Sequence, residues 1–242
     1  MTIDIQPKWK FGVQVKLKEI TILYPFYNKL VSASTINGKI DAYLELSNFF
    51  VDHRDEIRDW NDMKEREFAS LVGFRLEEFT FLICNDLKNK YKSKVDIKAI
   101  EGKKPPMIIL EKVGRWVGQS CDLAVGKWGP RPEYGGNFFI PSILIESKRY
   151  ISGGTNFENV CFLAMKWKEK YPDVKFVVFC EHNDMDPKTW DLKREFFATY
   201  IDEIFFIKTG SRNNENRGTS KYRKDELERF ADVLDNYFKK IK

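Results

Sequence analysis

Residues 138–149 read FFIPSILIESKR, an apolar run suited to a strand inside a sheet that ends in a carboxylate and an ammonium two residues apart. Residues i and i+2 of a strand share a face, so Glu146 and Lys148 project together while Ile145 and Ser147 point the other way. From Pro141 to Ile145 only Ser142 is polar, which places the Glu146 backbone deep in the protein. A charge leaving such a strand costs several kcal/mol unless it is paired or bound to a metal. A buried Glu–Lys ion pair and a cation site both meet that condition. Spacing alone does not separate them, because Asp96-x-Lys98, Glu101-x-Lys103, Asp173-x-Lys175, Asp186-x-Lys188 and Asp191-x-Lys193 repeat the triplet. Context does more. Glu101 and Asp186 fall in polar or proline-containing turns, Asp173 follows Pro172 at a strand start, and Asp191 reads as opening a helix. Asp96 lies on a strand flanked by lysines, which suggests a solvated edge.

Upstream of this strand the pattern is helical from Asn61 to Lys92, with Phe68, Leu71, Val72, Phe79, Leu82, Ile83 and Leu87 at spacings of three and four. Two helices, or one helix bent near Gly73, fit it. Short β-branched segments follow, KVDIKAI and MIILEKV, and then SCDLAVG. The connection GKWGPRPEYGG is rich enough in glycine and proline to read as irregular. Downstream, a helix runs from Phe157 to Lys170 with Thr155 or Asn156 as its cap, and VKFVVFC is a buried strand. LKREFFATYIDEIFFI reads as helix then strand, and a last helix spans Asp225 to Ile241. This order predicts an α/β fold, a mixed β-sheet flanked by helices. Residues 1–60 form an N-terminal scaffold, dimerisation or recognition element, 61–207 the core, and 208–242 a basic loop and C-terminal helix, within one compact domain overall.

With 242 residues and 43% hydrophobic content the chain can bury one substantial core. The net charge of +5 is concentrated. Lys208, Arg212, Arg217, Lys221, Arg223 and Lys224 stand against Glu215 alone, so residues 208–224 carry as much excess as the whole chain. Cys84, Cys121, Cys161 and Cys180 form no C-x-x-C pair, which predicts buried free thiols in a reducing cytoplasm. His53 and His182 are the only histidines, so a zinc site of ordinary spacing is not expected. No apolar run approaches the roughly 20 residues that span a bilayer, so no membrane partner is expected.

Asp122 lies in SCDLAVG, on the strand before Glu146, and an antiparallel hairpin would bring the two carboxylates together. They repel unless a cation bridges them, and an oxygen-only site of this kind suits Mg²⁺, with water and a substrate phosphate completing its shell. Lys148, beside it, could hold or help deprotonate an attacking water. Helix, hairpin bearing Asp122, strand bearing Glu146-x-Lys148, then helix and strand resembles the PD-(D/E)XK nuclease superfamily over about Lys64 to Glu181. The resemblance implies Asp122 and Glu146 as Mg²⁺ ligands and Lys148 as the water-orienting residue. Cys121 stands where the family name gives proline. The family often adds a glutamate from the preceding helix, after a glycine, and GFRLEEF offers Glu77, with Glu78 as the alternative.

Nucleic-acid binding needs cations for phosphates and donors for base edges. Arg115, Lys127 and Arg131, with Trp116 and Trp128 among them, flank the Asp122 strand. Arg149 follows Lys148, and Arg212, Arg217, Lys221 and Arg223 lie in the basic loop. The resulting expectation is a Mg²⁺-dependent endonuclease on double-stranded DNA, of the type II restriction kind and homodimeric. A structure-specific nuclease, such as a junction resolvase, and a non-catalytic DNA-binding protein are the alternatives.

Overall fold

The computed structural model describes residues 23–60, 65–99, 121–131, 136–212 and 220–241. Helices α1 (Tyr24–Ser32), α2 (Ile36–Asp52), α3 (Arg54–Trp60) and α4 (Glu65–Lys90) precede the sheet. Then come β1 (Asp96–Ala99), β2 (Leu123–Arg131), β3 (Gly136–Ile151), α5 (Thr155–Lys170), β4 (Lys175–Asn183), α6 (Pro187–Tyr200), β5 (Glu203–Phe206) and α7 (Lys224–Lys240). The strands lie in sequence order, β1-β2-β3-β4-β5. β1, β2 and β3 pair antiparallel, whereas β3–β4 and β4–β5 are parallel, since α5 and α6 carry the chain back across the sheet between them. The mixed α/β sheet expected from the pattern is present.

Both faces of the sheet are covered, which is why β4 is buried almost from end to end. On one face Val125, Ile143, Ile145, Val177, Phe179 and Phe205 meet α2, α4 and α7. Phe79 of α4 sits at its centre, 4.4 Å from the Tyr43 ring, 5.9 Å from Phe179 and 6.3 Å from Phe230. Ring pairs of this kind add about 0.5–1.5 kcal/mol each beyond the area they bury. On the other face Ala124, Leu144, Phe176, Val178 and Cys180 pack against α5 through Phe157, Val160, Ala164 and Trp167. In α7, Leu227, Phe230, Leu234 and Phe238 are fully buried at spacings of three and four. Asp225 and Glu226 in its first turn and Lys239 and Lys240 in its last complement the helix dipole. The four cysteines are buried and free. No helix among the described residues is long and apolar enough to cross a membrane.

The structure departs from the expected pattern in several places. The segment expected to be irregular, GKWGPRPEYGG, is mostly a hairpin: β2 continues to Arg131 and pairs with Gly136–Pro141, after a register shift between Val125 and Gly126. Glycine is required at that shift. A Cβ on Gly126 would lie 2.1 Å from the Ile140 carbonyl oxygen and 2.8 Å from Pro141 Cα. Gly126→Ala is therefore expected to destabilise by about 1–3 kcal/mol, a loss of several degrees in a thermal melt. An unchanged melting temperature would contradict so close an approach of the two strands. α5 begins at Thr155, with Gly154 at its cap position and no side-chain cap, so neither Thr155 nor Asn156 caps it. Asp191 lies inside α6, and Asp186 holds its start by accepting from the Thr189 N–H at 3.0 Å. The MIILEKV strand lies outside the described residues.

Candidate active site

The β2–β3 register sets Leu123 opposite Ile145, so one step further Asp122 comes opposite Glu146. Ala124 and Leu144 point to the α5 face, and alternation along β3 puts Glu146 and Lys148 on that same side at the sheet's end, with Asp122 just before the start of β2. Asp122 is held in place by the Ser147 N–H, which donates to its Oδ2 at 2.7 Å. Lys148 Nζ donates to Oε1 of Glu146. Glu146 is 6% exposed, and its other oxygen, Oε2, is buried with no hydrogen-bond partner among the described residues. A buried carboxylate oxygen left so is costly, and it marks a place where a further cation or donor would bind.

Electrostatics ties a fourth residue to this group. Burial, and then the charges of Asp122 and Glu146, push the Glu77 carboxyl up to about 8. Burial and then Asp122 push Glu146 up to about 7, against the pull of Lys148. Burial also raises Asp122, opposed by Lys148 and the Ser147 N–H. For Lys148, burial acts to lower the pKa, but the charges of Glu146 and Asp122 outweigh it and the net shift is upward. Three carboxyls thus crowd one ammonium in a poorly solvated place. Glu78 is elsewhere: it is buried and accepts the Tyr27 hydroxyl at 2.9 Å, from α1. Of the two neighbouring glutamates, α4 brings Glu77 to the cluster.

Among the described residues no group of three or more His, Cys, Asp or Glu side chains closes into a ready metal cage. What is present is two opposed carboxylates, one with an unpartnered buried oxygen. That donor set fits an oxygen-preferring cation that keeps waters in its shell, such as Mg²⁺.

The basic candidates fare differently. Lys127 and Lys221 are exposed. Trp128 is 48% exposed and stands edge-on to Phe139 at 5.7 Å. Arg149 is part-buried. Arg131 pairs with Gly136 at the tip of the hairpin. Arg212 is engaged by Asp184, with its N–H at 2.8 Å and Nε at 2.5 Å, and its guanidinium stacks 3.5 Å from the centre of the Tyr150 ring. Arg223 contacts Asp225 at 2.8 Å and Glu226 at 3.3 Å. The last two are already largely neutralised by neighbours. Arg115, Trp116 and Arg217 lie outside the described residues. The Arg212–Tyr150 stack has a use even so. Tyr150 lies two residues beyond Lys148 on the same face of β3, so the start of the basic segment is docked about 7 Å along the strand from the lysine.

The sequence reading did not single out Arg75 and Glu181, which form a buried ion pair of 2.8 Å between α4 and β4. A signal existed. Glu181 ends the apolar strand KFVVFC as Glu146 ends its own, so the rule that drew attention to one applies to the other.

No family model matches the chain, and no curated protein matches its sequence. Among solved structures, the chain is similar to one from the native BbvCI A2B2 tetramer, at 12% identity and a TM-score of 0.59, over 93% of this chain and 88% of that one. With the sheet order and the helices on both faces, that likeness shows a shared α/β fold, a mixed five-stranded sheet flanked by helices.

Proposed function

We propose that the protein is a Mg²⁺-dependent endonuclease that makes site-specific double-strand breaks in DNA, as a type II restriction enzyme does. The observation that carries this reading is the gathering of Asp122, Glu146 and Lys148 at one end of the sheet, with Glu77 within electrostatic reach. The fold shared with BbvCI supports a nuclease, and the A2B2 assembly named for that protein supports action as a multimer, of which a homodimer is the form proposed. Two copies of one site are a natural way to cut two strands. Asp122 and Glu146 would hold Mg²⁺, which supplies charge neutralisation at the phosphate and a more acidic water. The chain's own residues do the rest. The Ser147 N–H fixes the Asp122 carboxylate, and Lys148, held by Glu146, presents an ammonium that can orient the attacking water and stabilise the hydroxide formed from it. Glu77, whose carboxyl is pushed up to about 8 in the metal-free cluster, can donate a hydrogen bond when protonated or, once ionised, receive a proton. Lys127 and Lys221 provide exposed charge for backbone phosphates.

Incubation with long bacteriophage DNA and Mg²⁺ is expected to give discrete fragments, abolished by EDTA. Junction-only cleavage would replace site-specific cutting with a resolvase activity. Binding without cleavage in any divalent metal would leave a DNA-binding protein in which Glu146–Lys148 is a structural ion pair.

A further inference from the structure

Two residues before Glu77, Arg75 is 3% exposed, and its Nη2 lies 2.8 Å from Oε1 of the fully buried Glu181. The same oxygen accepts the Tyr222 hydroxyl at 2.9 Å and lies 3.9 Å from Nζ of Lys208. That ammonium sits 4.3 Å from the centre of the Tyr222 ring. Lys208 and Tyr222 face each other in an antiparallel bridge, and the Thr209 N–H donates to the Lys221 carbonyl at 2.9 Å, so the two stems of the basic segment are laced together here. Arg75 is also held by α2: its guanidinium lies 4.5 Å from the Phe50 ring centre, and Nη1 reaches the Ser47 carbonyl at 3.4 Å. One carboxylate thus joins α4, β4 and both stems.

Stability does not account for such a network. Removing two cations and a carboxylate from water is often no better than apolar packing of the same volume. Around them Tyr43 Oη, Ser47 Oγ, Arg75 Nε and Glu181 Oε2 are buried without a hydrogen-bond partner among the described residues, a further cost that apolar side chains would not carry. What a planar, stacked and ion-paired guanidinium supplies is direction. At 100° per residue, Glu77 lies about 200° around the helix from Arg75, so fixing Arg75 against β4 aims Glu77 to the opposite side. On that side the charges of Asp122 and Glu146 act on it.

We propose that Glu181 is a positioning residue for the candidate nuclease site: through Arg75 it fixes the rotation of α4 and so sets Glu77 against Asp122 and Glu146. Through Tyr222 and Lys208 it ties the same helix to the stems of the basic segment. The role rests on the nuclease reading above, and Glu181 itself touches no reacting atom.

The test is a double-mutant cycle with Glu77. Single-turnover cleavage of bacteriophage DNA in Mg²⁺, followed for hours to read slow turnover, is compared for wild type, Glu181→Gln, Tyr222→Phe, Glu77→Gln and the doubles. Duplex Kd is measured in Ca²⁺ and the folded fraction by circular dichroism. Glu181→Gln is expected to slow cleavage by about 10–100-fold with Kd within about twofold. In the Glu77→Gln background the same change should cost under about threefold, because the positioned group is gone. Tyr222→Phe keeps the Arg75–Glu181 pair and removes one hydroxyl. It is expected to cost about threefold in the same non-additive way, and it carries the test if Glu181→Gln does not fold. Equal losses in both backgrounds, or losses that follow the folded fraction, would overturn the positioning role while leaving the nuclease reading intact. An unchanged rate in Tyr222→Phe would remove the tie to the basic segment. A wild type that leaves DNA uncut in Mg²⁺ removes the nuclease reading, and this role with it.

Discussion

Glu146→Gln is expected to lower Mg²⁺-dependent cleavage of duplex DNA by about 10³-fold or more while leaving duplex binding within a few-fold. Glutamine keeps the size of the side chain and can still accept from Lys148, so the local packing survives. It removes one of the two opposed carboxylate charges that would hold a divalent cation, and the Asp122 carboxylate remaining is partly committed to the Ser147 N–H. Lys148→Ala is expected to give a similar loss by a different route. The carboxylates stay, but the ammonium that would orient the water is gone, and with it the charge that opposes the mutual repulsion of Glu146 and Asp122. Binding in Ca²⁺ by gel shift and cutting in Mg²⁺ by gel electrophoresis separate the two effects. Cutting at the wild-type rate in either variant would sink the assignment of these residues.

How much of this was legible follows from the range of the interactions involved. The apolar run ending at Glu146 is a local pattern, and it sufficed to place a central strand and its two charges. Asp122 needed only a hairpin, again a local matter. Whether Glu77 or Glu78 faces the site did not follow from periodicity, because both flank the same apolar stripe. The Tyr27 hydroxyl, 51 residues away, engages Glu78 and leaves Glu77 to the cluster. The hairpin arm from Lys127 to Arg131 was hidden for the opposite reason. Gly129 and Pro130 argue locally for irregular backbone, whereas Gly136–Ile140 across the ladder supplies the partner that overrides them. Counting charges in the basic segment was correct as arithmetic and incomplete as physics. Asp184 and Glu181, outside the segment, bind Arg212 and approach Lys208, so the charge presented to a partner is smaller than the sum.

The crowding of carboxyls has a consequence for stability that does not depend on cleavage. In the metal-free protein, Glu77→Gln is expected to stabilise the fold above pH 8 by about 2–5 kcal/mol. The sign follows from the direction of the shift. Below the ordinary value of 4.5, Glu77 is protonated in the folded and unfolded chains alike and contributes no difference. Between 4.5 and about 8 the unfolded chain releases its proton while the folded chain retains it, so stability falls as pH rises through that window. Above about 8 the folded carboxyl ionises as well and the penalty is constant. Glutamine has no proton to lose, so the variant escapes the fall. The gain should be near zero at pH 4.5, grow across the neutral range and level off near pH 8 to 9. Urea denaturation in EDTA at pH 5, 7 and 9 reads it directly. A variant no more stable than wild type at pH 9 would mean that Glu77 is solvated and stands apart from Asp122 and Glu146. The same cost explains why such a cluster would be kept: residues that repel one another in the empty protein are poised to gain when a cation arrives, and added Mg²⁺ should raise the wild-type melting temperature at pH 8 more than that of Glu77→Gln.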